Sequence, residues 1–440
     1  MISSSRSSSL ITDHWSLITA QEFAAGMALL GPFEPAPRLA AGVSGGPDSM
    51  ALALLAAEWA RARGGSLLAL IVDHGLRRES AAEAAEAAAR LTERGIAARL
   101  LKIEGLARGA ALAERARMAR FAVLIEACAA DGIVHLLLGH HAADQAETVL
   151  IRFLGGSGPG GLAAIAPLVE LATVRLLRPL LSVPPVRLRA TLAAAGMTWA
   201  EDPSNADTTA LRPRLRQLRA DRGGVGAATA ALVAAASEAS RARARAEAVV
   251  AASLAERVSL RPEGFALLGE EAMEPDALAA LIRTIAGAPF PPARRSVTAL
   301  AAAPRPATLA GVQLLPAGRL GRGLIMAREA AAMGAPVPAR AGAVWDGRFR
   351  LARDVAAVEG ATFGALGADG SRLRRISPLP AAVLRTLPAV RHGDRVLAVP
   401  HLRYPDMATC EGFQVTFCPA WPAAAAPFST TGAPDAIGDA

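Results

Sequence analysis

The amino-acid sequence predicts an α/β fold, a doubly wound parallel sheet, followed by a helical segment and a small C-terminal β-rich domain. Three observations predict it. Short, mostly apolar runs at 39–43, 67–72, 99–103 and 133–138 alternate with helix-length stretches at 50–63, 80–94 and 110–130. Near-continuous hydrophobicity marks strands covered on both faces. Small and polar motifs stand directly after the first, second and fourth runs, and an open parallel sheet collects ligands at the carboxyl ends of its strands. Beyond residue 306 the texture changes to short, Gly-punctuated, alternating segments at 308–328, 342–353 and 390–399, which is β patterning.

The 440 residues are enough for two or three domains. The texture divides them into an N-terminal tail and leading helix (1–35), a sheet domain (36–220), a helical segment (221–305), a β-rich domain (306–425) and a loose Ala/Pro/Gly-rich tail (426–440). Hydrophobic residues make up 52% and aromatics only 4%, so the cores must be built from Leu, Val, Ile and Ala. No apolar run is long and unbroken enough to span a membrane. The Ser-rich stretch 1–9 reads as a tail, since no apolar signal-peptide core follows it. Cys128, Cys410 and Cys418 show no CxxC spacing, which fits a reducing, cytoplasmic setting without disulfides. The net charge is +8, and Lys102 is the only lysine, so arginine carries the positive charge. A basic excess favours a polyanionic partner, and arginine suits phosphate.

The first strand runs into Ser44-Gly45-Gly46-Pro47-Asp48-Ser49 and then a helix. A strand, a tight Gly turn and a helix start aim several backbone N–H groups and a positive helix end at one spot. Gly45 and Gly46 leave room for a phosphate. No Lys follows, which sets the loop apart from GxxxxGK[ST]. Asp48 inside a phosphate cradle repels phosphate unless Mg²⁺ lies between them. The combination points to ATP cleaved between its α- and β-phosphates. The second strand ends in Asp73-His74-Gly75-Leu76-Arg77, placed to line the same pocket. Its plainer reading is a helix-capping Asp and a Gly turn. On the helix over 110–130, Arg117 and Arg120 share a face, with Phe121 beside them.

The fourth strand leads into Gly139-His140-His141-Ala142-Ala143-Asp144-Gln145-Ala146-Glu147-Thr148. On a helix, Asp144 and Glu147 share a face. Two carboxylates with His140 beside a phosphate site bind Mg²⁺ or a substrate ammonium, or relay a proton. Zinc bound through His140, His141 and Asp144 lacks a supporting Cys or HExxH spacing. The Gly-rich run 155–161 is a mobile linker or a second backbone cradle. Another helix lies within 179–196. The loop 199–205 carries Asp202-Pro203-Ser204-Asn205, and 211–220 presents Arg212, Arg214, Arg216 and Arg219. The stretch 227–257 reads as an Ala-rich helix and 265–301 as further helices. Residues 330–341, with Pro336 and Pro338, read as a flexible connection.

In this order, SGGPDS, DHGLR, ARMARF, GHHAADQAET, GSGPGGL, RPLL, EDPSN and LRPRLR resemble the motifs of the tRNA(Ile)-lysidine synthase family. These are PP-loop ATP pyrophosphatases with an adenine nucleotide α-hydrolase-like fold. The resemblance covers roughly residues 20–220, and 343–351 and 396–402 resemble the family's C-terminal module. It implies a ligase that adenylates the C2 oxygen of the wobble cytidine in CAU-anticodon tRNA(Ile), releases pyrophosphate, and lets the ε-amine of L-lysine displace AMP. The implied ATP-binding residues are Ser44, Gly45, Gly46, Pro47, Asp48, Ser49, Asp73, His74 and Gly139, with Mg²⁺ held at Asp48 through the phosphates. The implied catalytic residues are Asp48, Arg117, His140, Asp144 and Glu147, and Asp144 and Glu147 also bind lysine. Arg120, Ser157, Gly158, Arg212 and Arg214 are implied to meet tRNA or phosphate, and 221–305 and 306–425 the tRNA body. No membrane partner is implied, and a homodimer is left open. Four positions depart from the family pattern: Phe121 for Tyr, Ala143 for Asp, Gly155 for Arg and Pro213 for Asn. One alternative is a thiolase-type PP-loop enzyme, which needs cysteines where the catalytic half offers Cys128 alone. Another is a tRNA-binding relative without catalysis, motivated by Gly155 and Pro213.

Overall fold

The structure, a computed structural model, describes residues 15–73, 75, 80–103, 105, 109, 112–171, 173–200, 211–221, 223–352 and 358–424, without the side chains at 113 and 211–213. His74, Arg77 and 202–205 lie outside these residues. The chain forms two compact units, one running to Arg245 and one beginning at Ala246.

The first unit holds α1 (Ala20–Ala28), β1 (Arg38–Val43), α2 (Pro47–Arg61), β2 (Ser66–Asp73), α3 (Ser80–Thr92), β3 (Ala97–Lys102), α4 (Leu112–Ala130) and β4 (His135–Leu138). It continues with α5 (Ala142–Leu154), α6 (Pro159–Leu162), β5 (Leu168–Glu170), β6 (Arg175–Leu177), α7 (Pro185–Ala194), α8 (Leu211–Arg219) and the first part of α9 (Ala227–Arg257). The sheet order is β3-β2-β1-β4-β6-β5, parallel except for the edge strand β5. The doubly wound parallel sheet expected from the sequence is present. The short strands β5 and β6 extend it beyond the four expected.

Successive residues of β1 explain its unbroken hydrophobicity. Leu39, Ala41 and Val43 enter one core with Met50 and Leu54 of α2 and Leu188 of α7. Ala40, between them, enters the opposite core with Leu124 and Cys128 of α4. Period-two alternation therefore buries Leu39, Ala40, Ala41 and Val43 alike, because helices cover both faces. The strand order reverses between β1 and β4. The crevice outside their carboxyl ends lies at this switch point, and the two strongest sequence motifs meet there.

The second unit takes the rest of α9 and the hairpin β7 (Val258–Arg261) and β8 (Phe265–Leu268). It continues with α10 (Pro275–Ala286), α11 (Arg294–Ala302), β9 (Ala307–Leu309), β10 (Val312–Pro316) and β11 (Leu324–Arg328). The sequence reading of 265–301 as helices throughout is corrected here. Phe265–Leu268 is a strand paired antiparallel with β11, in a sheet ordered β7-β8-β11-β10-β9. A four-residue apolar run does not reveal its period, and its long-range partner decides. The flexible connection expected at 330–341 is corrected too. β12 (Val337–Pro338) pairs with β15 (Ala361–Ala365), and Trp345 Nε1 donates to the Gly334 carbonyl at 3.1 Å. β13 (Val344–Trp345), β14 (Phe349–Leu351), α12 (Ala381–Thr386), β16 (Pro388–His392), β17 (Arg395–Ala398), α13 (Met407–Glu411) and β18 (Val415–Phe417) complete two small antiparallel sheets. Among the described residues no helix is long and apolar enough to cross a membrane.

Candidate active site

The loop after β1 is shaped by its own serines. Pro47 opens α2, where its missing N–H removes no helical bond, and Gly46 precedes it in extended backbone with no side-chain cap. The Ser49 hydroxyl accepts from the Ser44 N–H at 3.1 Å and donates to the Gly46 carbonyl at 3.1 Å. Gly45 turns through φ +82°, a region that favours glycine. The helix start is left uncapped, so its N–H groups and dipole face the crevice as an anion cradle.

The end of β4 touches this loop backbone to backbone. A Cβ on Gly139 would meet Ser49 Cα at 3.1 Å and the Asp48 carbonyl carbon at 3.2 Å. Packing therefore favours glycine there, because a side chain would push against the backbone of the loop. His141 then caps α5, with Asp144 three residues on accepting from the His141 N–H at 3.1 Å. The His141 ring also reaches across to the first loop. Its Nε2 lies 3.4 Å from Asp48 Oδ2 and 3.6 Å from Asp144 Oδ2. Burial pulls the imidazolium down, but the charges of Asp144 and Asp48 outweigh it and hold its pKa above the ordinary value. For Asp144, burial pushes upward, while His141, His140, the helix-cap bond and Arg216 outweigh it and hold the carboxyl below its usual range.

Glu147 stands on the same face of α5 as Asp144 and is fully buried. Arg216 of α8 grips it with two nitrogens, Nε to Oε1 at 2.6 Å and Nη2 to Oε2 at 3.3 Å. The same guanidinium lies 3.5 Å from Asp144 Oδ1. Burial would lower the Arg216 pKa, but Glu147, Asp144 and Asp48 raise it on balance. Asp48, His141, Asp144, Arg216 and Glu147 form one chain of alternating charge along a cleft of about 1200 Å³.

Of the residues singled out in the sequence, Ser44, Gly46, Pro47, Asp48, Ser49, Arg120, Gly139, His140, Asp144 and Glu147 line this cleft together. Gly45 shapes its loop. Asp73 braces the turn before α3, accepting from the Gly75 N–H at 2.9 Å and from the Ser80 hydroxyl. Arg117 lies outside the lining, with its guanidinium carbon 5.8 Å from the Phe121 ring centre, so a π face remains where the family pattern has Tyr. Burial, then Arg117, lowers the Arg120 pKa. Ser157, Gly158 and Arg214 are exposed and stand outside the lining. The Gly-rich run that holds Ser157 and Gly158 is tied to α5, since Arg152 Nη1 donates to the Gly161 and Ala164 carbonyls, both at 2.7 Å. His74 and the Arg212 side chain are outside the described residues.

Sequence reasoning gave His140 a role beside the carboxylates and considered His141 only in the zinc reading it set aside, and it treated Arg216 only as one of a run. Histidine is an uncommon N-cap, so the capping box at 141–144 carried no usual signature. Arg216 and Arg219, three apart, share a helix face, a signal that the sequence did contain.

Asp48 Oδ1 is buried with no hydrogen-bond partner among the described residues. Among the same residues no group of three or more His, Cys, Asp or Glu is set to hold a metal. One free carboxylate oxygen facing an anion cradle fits Mg²⁺, which keeps most of its shell for phosphate and water.

A family model described as a PP-loop domain matches residues 19–220. The chain is 45% identical over 221 residues to the tRNA(Ile)-lysidine synthase of Bradyrhizobium sp. strain BTAi1, covering 50% of this chain and 62% of that protein. It is 47% identical over 192 residues to the tRNA(Ile)-lysidine synthase of Bradyrhizobium diazoefficiens, covering 43% and 53%. The match therefore spans less than two thirds of either Bradyrhizobium protein. To the tRNA(Ile)-lysidine synthase of Ruegeria pomeroyi it is 35% identical over 380 residues, covering 83% of this chain and 89% of that protein.

Proposed function

The chain belongs to the tRNA(Ile)-lysidine synthase family, and on that footing we propose that it ligates L-lysine to C2 of the wobble cytidine of CAU-anticodon tRNA(Ile) at the expense of ATP. One observation carries the reading: the single imidazole of His141 joins the aspartate of the phosphate loop to the aspartate of α5, at 3.4 and 3.6 Å. That junction supports the reading, because a two-step adenylation and amination requires a pyrophosphate cradle and an ammonium-binding carboxylate in one cleft.

In the first step the cytidine C2 oxygen attacks the α-phosphorus and pyrophosphate leaves. The N–H groups at the start of α2 stabilise the leaving charge, and Asp48 orients toward it. Mg²⁺, when bound, neutralises phosphate charge, and Asp48 Oδ1 is the group that would hold it. In the second step the lysine ε-amine attacks C2, the C–O bond to AMP breaks, and one proton leaves the amine. Asp144, with His140 beside it, binds the incoming ammonium and takes up the proton whose loss frees the amine to attack; the proton released after the attack passes to water. Glu147 acts through Arg216, fixing the guanidinium beside Asp144. Arg117 and Arg120 meet phosphate or RNA, Arg212, Arg214, Ser157 and Gly158 the tRNA, and 221–425 the tRNA body. The setting is cytoplasmic. A sulfur-transferring alternative finds no support at Cys128, whose thiol burial and Asp131 push up to about 11.

The test is ATP-dependent incorporation of labelled lysine into tRNA(Ile) bearing CAU, with tRNA(Met) as control. Labelling of the first alone supports the reading. ATP consumption without labelling points to another nucleophile, and neither labelling nor turnover points to a tRNA-binding protein without catalysis.

A further inference from the structure

The charges at the centre of the cleft are matched within it. His141 answers Asp48 and Asp144, and Arg216 answers Glu147 and Asp144. Three arginines that line the cleft, Arg120 of α4, Arg189 of α7 and Arg219 of α8, have no carboxylate partner among the described residues, and the last two share the wall formed by α7 and α8. The acid near them, Asp221, is engaged by its own turn. It accepts from the Val225 and Gly226 N–H groups at 3.2 and 2.9 Å and from the Thr229 hydroxyl.

The wall that carries these arginines is knitted to the start of α5. The Ala142 N–H donates to the Val183 carbonyl at 3.0 Å, and the Val186 N–H donates to the Gly223 carbonyl at 3.4 Å. Arg219 Nη1 donates to the Ala143 carbonyl at 3.3 Å, next to Asp144, while its Nε is buried with no hydrogen-bond partner among the described residues. Arg189 is one turn along α7 from Pro185, which lines the same cleft. Two guanidinium groups without a carboxylate partner among the described residues therefore line the same cleft as Asp144, and Arg219 is bonded to the residue next to it.

We propose that Arg189 and Arg219 bind the α-carboxylate of the amino-acid substrate, and so make the site select an amino acid over a simple amine. The proposal rests on the lysine-ligating reading above. With its ε-nitrogen at Asp144, free lysine extends its carboxylate four methylene groups further on. Arginine matches that carboxylate as a planar, charge-assisted fork. A carboxylate leaving water at this wall would otherwise lack a partner.

The experiment compares labelled lysine with labelled 1,5-diaminopentane, which is lysine without its carboxylate, as substrates for ligation to tRNA(Ile) bearing CAU. Wild type, Arg189→Gln, Arg219→Gln and Arg189→Lys are assayed, with tRNA-dependent ATP–pyrophosphate exchange measured alongside. Each Gln variant is expected to raise KM for lysine roughly tenfold to a hundredfold and kcat to change little, with KM for the diamine unmoved. Arg189→Lys should recover part of the lysine preference. Equal losses for both amines, loss of exchange, or a wild type indifferent to the carboxylate would overturn the subsite alone. Loss of exchange would instead assign the arginines to phosphate or RNA. A wild type that ligates neither amine would overturn the ligase reading and this subsite together.

Discussion

Each compact unit contains a buried ionic cluster among its described residues, and the two differ in where their spare bonding capacity faces. In the second unit, Asp346 is enclosed by Arg328 and Arg348. It takes Arg328 Nε at 3.1 Å, Arg348 Nε at 2.8 Å and the Gly334 N–H at 2.9 Å. Arg328 Nη1 and Arg348 Nη1 reach the carbonyls of Gly311 and Gly264 at 2.8 and 3.2 Å, while Arg348 Nη2 lies 2.7 Å from Asp346 Oδ2 and makes no hydrogen bond among the described residues, enclosed away from any cavity. Burial pushes the Arg348 guanidinium down to about 10 despite Asp346. The cluster is sealed: Arg348 is fully buried, and its bonds serve to join β8, β11, β14 and the turn at 334. In the first unit, the chain from Asp48 to Glu147 lies along an open cleft and keeps a buried carboxylate oxygen unpartnered among the described residues. Buried charge by itself marks neither a site nor a brace. Bonding capacity left facing a cavity marks the site.

The sharpest way to break this contrast is to neutralise each central aspartate. Asp48→Asn should lower tRNA-dependent ATP–pyrophosphate exchange about a thousandfold, on the scale of losing a preorganised transition-state contact. It should move folding stability by about 1 kcal/mol or less, because that side chain is 32% exposed. Asp346→Asn should cost about 3–5 kcal/mol of stability, since two buried guanidinium groups would then face a neutral amide. Thermal unfolding and limited proteolysis read the second effect. An Asp48→Asn protein that unfolds, or an Asp346→Asn protein as stable as wild type, would erase the distinction.

Glu147 tests the boundary between the two roles, because it belongs to the cleft chain yet is as enclosed as the sealed cluster. Glu147→Gln should cost about 1.5–3 kcal/mol, the range for a hydrogen bond to a charged group. It should also free Arg216 to move against Asp144, raising KM for lysine several times more than KM for ATP. Wild-type stability with an unchanged KM for lysine would show that Arg216 is held by other means.

These differences also show what the sequence could and could not supply. The sheet and its switch point were legible because burial on both faces leaves a continuous apolar record, as in Leu39 to Val43. The phosphate loop was legible because its geometry is local: Ser44, Gly46 and Ser49 bond one another within six residues. Arg216 was not, because its partner Glu147 lies 69 residues away and a run of arginines does not say which one turns inward. The strand at Phe265–Leu268 was hidden for the same reason, since its identity comes from β11.

The smallest effect separates the clusters by pH. His141 has a raised folded pKa, so its contribution is fully present below the ordinary value of 6.5 and fades as pH rises through the folded value. Asp144 has a lowered folded pKa, so its contribution is fully present above the ordinary value of 3.8 and fades as pH falls through the folded value. The stability difference between wild type and His141→Gln should therefore form a plateau between about pH 3.8 and 6.5, on the order of 1 kcal/mol. It should shrink above that window and also in strong acid. The same scan on Asp346→Asn should stay flat around neutral pH, because the Arg348 guanidinium, pushed down to about 10, keeps its charge there. A His141→Gln difference that grows above pH 7 would mean that the neutral imidazole is the form the fold prefers. A flat difference would mean that the ring serves packing alone, as the sealed cluster serves its unit.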